Sequence, residues 1–83
     1  MAARVRNHQV VEHWYVGKEA YSHTQSLHTD GEKLYSYALL IGDTTAEGDK
    51  ILRDYTAKGT HGFRSQTTSC HVGLARRFAD HIS

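Results

Sequence analysis

The stretch Thr67-Thr68-Ser69-Cys70-His71-Val72-Gly73-Leu74-Ala75-Arg76-Arg77-Phe78-Ala79-Asp80-His81-Ile82 decides how the rest of the chain is read. Cys70, Leu74, Phe78 and Ile82 recur at every fourth position, with His71, Ala75 and Ala79 beside them, which is the stripe a helix turns toward a core. Arg76, Arg77, Asp80 and Ser83 fall largely off that stripe. At the rise of an α-helix such a stretch is about 24 Å long, enough to cover one face of a small sheet. Leu74, Phe78 and Ile82 are therefore expected to lie beneath a β layer.

Just upstream, Ser65-Gln66-Thr67-Thr68-Ser69 supplies hydroxyls that can accept hydrogen bonds from the free amides of a first helical turn. Helix capping is the plain reading of this run. A sharper one notes Lys58, His61 and Arg64 on the glycine-containing segment before it. With the amides of Thr67, Thr68 and Ser69, and with Arg76 and Arg77 further along, these residues form a candidate anion or nucleic-acid site. Nothing in the chain matches a phosphate-binding Walker loop or a dinucleotide fingerprint.

Working further back, Lys50 to Thr56 has strand character through Ile51, Leu52 and Tyr55, after a loop-like Gly42 to Asp49. Lys33 to Ile41 alternates two largely apolar faces and predicts a central strand. Asp30-Gly31 is the clearest turn signal and predicts a hairpin, with Thr24 to Thr29 as its other arm. From Val5 to Val16 a period of two places Val10, Trp14 and Val16 on one face, and the β-branched and aromatic content favours strand over helix. The expectation is an α+β domain in which an antiparallel sheet of three to four strands packs against one C-terminal helix.

Hydrophobic residues make up 39% and charged residues 23% of the 83, with no proline, which is globular rather than disordered composition. One domain spanning residues 1–83 is expected. Its core would contribute about 3 to 5 kcal/mol, so a partner subunit would be a natural supplement. The single cysteine, Cys70, cannot form an internal disulfide and points to a reducing compartment. No apolar run reaches the length of a signal peptide core or a membrane span, so neither secretion nor membrane insertion is expected. The net charge is +1. Arg4, Arg6 and Lys18 near one end and Arg53, Lys58, Arg64, Arg76 and Arg77 near the other flank an acidic middle holding Glu19, Asp30, Glu32, Asp43, Glu47 and Asp49. Dedicated nucleic-acid binders carry a larger basic excess.

Seven histidines raise the question of a metal, but no two stand at a chelating spacing, and no cofactor or metal is expected. Cys70 and His71 are adjacent and diverge by about 100° on a helix, a poor geometry for a nucleophile and its base. No catalytic set emerges, and the chain is not read as an enzyme. The aromatics Trp14, Tyr15, Tyr35, Tyr37, Tyr55 and Phe63 are read first as core and cross-strand pairs, and only second as a stacking surface for bases.

Two phrases, Tyr35-Ser36-Tyr37 and Phe63-Arg64-Ser65-Gln66-Thr67-Thr68-Ser69-Cys70-His71, together resemble a family of short proteins encoded by tailed bacteriophages and prophages. In that family an aromatic-Ser-aromatic strand is followed by a Thr-Thr-Ser-x-His phrase, with a tryptophan segment upstream, here around Trp14. Cys70 falls at the variable position, and Ala38 stands where a glycine often follows the strand motif. The resemblance implies a phage origin and action in the host cytoplasm, and carries no activity with it. The leading expectation is thus a small bacteriophage accessory protein that binds a host or phage protein or forms a homodimer. The alternative is a phage nucleic-acid-binding module contacting phosphates through residues 58–69.

Overall fold

The computed structural model describes residues 3–55 and 65–82. Its elements run β1 (Ala3–Val5), α1 (Asn7–Val16), β2 (Ala20–Ser22), β3 (Leu27–Thr29), β4 (Leu34–Ser36), β5 (Leu39–Thr44), β6 (Lys50–Leu52), α2 (Gln66–Ala75) and β7 (His81–Ile82). The strands form one seven-stranded sheet in chain order. β1 with β2 and β6 with β7 are parallel, and the neighbours between them are antiparallel. Parallel neighbours need a crossover. α1 supplies it at one end of the sheet, and the segment containing α2 supplies it at the other.

This corrects the expected antiparallel sheet of three to four strands against one helix: the sheet is mixed, larger, and covered by two short helices. The first error lies at Val5 to Val16. Val10, Val11 and Trp14 are all fully buried, and that i, i+1, i+4 set is one face of a helix, not of a strand. The helix is also punctuated. The Arg6 N–H donates to the Gln9 side chain at 3.1 Å, half of a capping box. Gly17 ends it in the left-handed region, with Gly17 N–H bonded to Trp14 O and Lys18 N–H to His13 O.

The second correction concerns the C-terminal stretch, where the helix stops at Ala75 instead of reaching Ile82. Its buried residues are Thr68, His71, Val72 and Ala75, one step round from the expected stripe. Cys70 is exposed, Leu74 and Phe78 are half-buried against the flank of the core, and Ile82 is 46% exposed. Asp80 accounts for the strand that follows: its carboxylate accepts the Lys50 N–H at 2.8 Å and its own N–H donates to Lys50 O at 2.7 Å. That pair sets β7 beside β6.

The Asp30-Gly31 hairpin is present, joining β3 and β4 with Leu27 opposite Ser36 and Thr29 opposite Leu34. Asp30 Oδ1 accepts the N–H groups of Glu32 and Lys33, an Asx turn, and Gly31 sits at φ 101°. The expected central strand 33–41 is broken by a two-residue turn. Ser36 pairs with Leu39 across it, while Tyr37 takes φ 56° and donates its N–H to Ser26 O.

Both helices cover the same side of the sheet, where Val10, Val11, Trp14, Val72 and Ala75 meet Ala20, Leu27, Leu34, Ile41 and Leu52 in one core. Each large apolar side chain buried there contributes about 1.5–3 kcal/mol. Trp14 lies against Gly42 so closely that a Cβ on Gly42 would come within 2.8 Å of the indole. The opposite face carries a cross-strand row, Arg4–Tyr21–His28–Tyr35–Leu40. His28 and Tyr35 stack with centroids 5.1 Å apart and planes within 15°, so in that pair the rings turn faces toward each other. No helix among the described residues is long and apolar enough to cross a membrane.

Candidate functional site

The two phrases singled out in the sequence meet in space. Ser36, at the end of β4, lies with its Oγ 2.7 Å from His71 Nδ1 and 3.0 Å from Thr68 Oγ1. The three residues align because positions 68 and 71 are one helical turn apart on α2 and share its inner face. Ser65 is the N-cap: its Oγ accepts the Thr68 N–H and donates to Thr68 Oγ1, each at 3.1 Å. Tyr37 brings its ring 6.4 Å from that of His71.

A serine within 2.7 Å of a histidine invites a catalytic reading, but burial decides otherwise. Ser36, Thr68 and His71 are 0%, 3% and 1% exposed, so no substrate reaches the hydroxyl. Burial alone holds the His71 pKa below the ordinary imidazole value. The cluster is a neutral polar fastening between α2 and the hairpin.

A second buried polar group was missed in the sequence. Lys50 is 4% exposed, yet its ammonium donates to Gly31 O at 3.1 Å and to Thr44 Oγ1 at 2.8 Å, and stands 5.4 Å from the centre of a Trp14 ring. Trp14 Nε1 in turn donates to Glu32 O at 2.8 Å. Burial lowers the Lys50 pKa, against the opposing pull of Glu32, Asp80, Asp30 and Asp43. The signal was available: at a period of two, Lys50 shares the face of Leu52.

The candidate anion residues are not gathered around one point by the described structure. Lys58, His61 and Arg64 lie outside the described residues. Thr67 is exposed, Ser69 is half-buried, and the Thr68 N–H and hydroxyl are both engaged with Ser65. Arg76 donates to Asp54 at 2.9 Å. Arg77 is exposed and borders a groove between α1 and α2.

That groove has a volume of about 300 Å³ and is lined by Val11, Leu74, Gly73 and Phe78 together with His8, Glu12 and Arg77. Tyr15, 51% exposed, packs its ring at a tilt against Phe78 with centroids 5.4 Å apart. Val16, at 61%, follows on the same helix. Apolar side chains thus reach solvent along the two helices, flanked by charges of both signs. Comparisons of the chain with models of known families, with curated proteins and with solved structures find no match in any of the three.

Proposed function

We propose that this chain is a small bacteriophage accessory protein that acts by binding another protein on the surface formed by α1 and α2, inside the infected bacterium and without catalysis. The observation that carries the reading is the ring pair of exposed Tyr15 and half-buried Phe78 beside the Val11–Leu74 groove. Aromatic anchors next to an apolar depression with a charged rim are the anatomy of a protein contact. Support comes also from the Ser36–His71 pair, whose enclosure leaves it a structural part.

The test uses the full chain as immobilised bait in lysate of phage-infected bacteria, with Tyr15→Ser and Phe78→Ser baits beside it. Both positions are at least partly exposed, so circular dichroism spectra should match that of the parent. The expected result is one protein retained by the parent and lost from both variants. The same retained proteins on all three baits would remove the reading.

A further inference from the structure

We infer that the occupant of the α1–α2 groove is a second copy of this chain, docked about a two-fold axis that runs along the groove between the two helices. The inference rests on the protein-binding reading above and names its partner.

The argument starts from charge. Glu12 on α1 and Arg77 just beyond α2 border the same groove from its two sides, and neither has an ion-pair partner among the described residues. A two-fold axis running along the groove, between the helices, lays α1 of one protomer over α2 of the other, so each Glu12 faces the partner's arginine at position 77 and the contact is made twice, whereas an axis crossing the groove would set Glu12 on Glu12 and is disfavoured. A surface bearing one charge of each sign, on opposite sides of an apolar floor, is complementary to its own rotated copy. For an unrelated partner that match would have to be supplied separately.

Gly73 is a second, independent observation. It stands within α2, where glycine is the poorest helix former after proline. A Cβ built there would meet nothing within 4 Å, so the protomer's own packing does not require the glycine. Its place in the groove leaves helix backbone open to close approach from outside. Phe78 and Tyr15 then supply the apolar area, and the half-buried Leu74 becomes fully covered.

Sedimentation velocity on the full chain over a concentration series tests this. The parent is expected to pass from monomer to dimer. Glu12→Arg and Arg77→Glu, each of which places like charges opposite one another twice, should each weaken association about tenfold or more. Glu12→Arg combined with Arg77→Glu should restore it, and an equimolar mixture of the two single variants should form a heterodimer tighter than either homodimer. Gly73→Leu should block association while leaving the circular dichroism spectrum intact. A parent that stays monomeric throughout overturns the inference, as do single charge variants that associate as tightly as the parent or a mixture that forms no heterodimer. A monomeric parent whose bait still retains a protein lost on Phe78→Ser would refute self-association alone, leaving the protein-binding reading in place. Loss of both results would end both.

Discussion

Burial of His71 gives the molecule a pH dependence whose sign can be worked out. The folded imidazole has its pKa lowered by desolvation, whereas in the unfolded chain it titrates at about 6.5. Above that value both states are neutral and stability is at its full level. As pH falls below about 6.5 the unfolded chain takes up a proton that the folded chain resists, so stability declines until the folded-state pKa is reached. Urea midpoints measured over a pH series should show this decline, and His71→Asn should flatten it. A parent and variant with parallel pH profiles would contradict the assignment. Lys50 tests the other buried polar group. Lys50→Met leaves Gly31 O without its ammonium donor, and the expected loss is about 1–3 kcal/mol by denaturant titration. A variant as stable as the parent would mean that the Trp14 contact and the two hydrogen bonds only offset the cost of desolvating the charge.

Among the elements, the sheet depends on a close approach that no longer side chain permits. Gly42→Ala sets a methyl against the Trp14 indole and Leu34 Cβ, at 2.8 and 3.0 Å, and is expected to cost about 1–3 kcal/mol in thermal or chemical unfolding. An unchanged midpoint would show that the indole can shift freely. By contrast, Arg76→Ala breaks an exposed ion pair with Asp54 and should change stability by no more than about 1 kcal/mol. What could be read in advance at this scale follows from where local chemistry decides structure. Asp30-Gly31 announced its hairpin because the Asx turn is made within the turn itself, and the hydroxyl run at Ser65 announced a helix start because the cap bond to Thr68 is equally local. α1 was hidden because Val10, Trp14 and Val16 satisfy a period of two, while the decisive neighbour, Val11, does not. The break at Tyr37-Ala38 carries no turn residue and is held by a bond to Ser26, eleven positions upstream. Of the candidate site, the motifs Tyr35-Ser36-Tyr37 and Thr68 to His71 were visible singly. Their meeting was not, since Ser36 and His71 are 35 residues apart. The groove depends on which residues of two helices face each other, and one of those helices carries the period-two pattern of a strand.

At the scale of the whole molecule, a single core joins both helices to the sheet, with Trp14 fully buried in it. One cooperative transition is expected, with indole fluorescence and far-ultraviolet circular dichroism giving the same midpoint. Separate midpoints would mean that one of the βαβ ends melts on its own. The strand order has a mechanical consequence as well. Ala3–Val5 and His81–Ile82 occupy the two rims of a sheet whose strands follow one another in sequence, six strand intervals or about 29 Å apart. A tether pulling on both termini would therefore load the ladder along its bonds, not across them. It would peel one short rim strand at a time, so in an optical trap the domain should open like a zipper at low force.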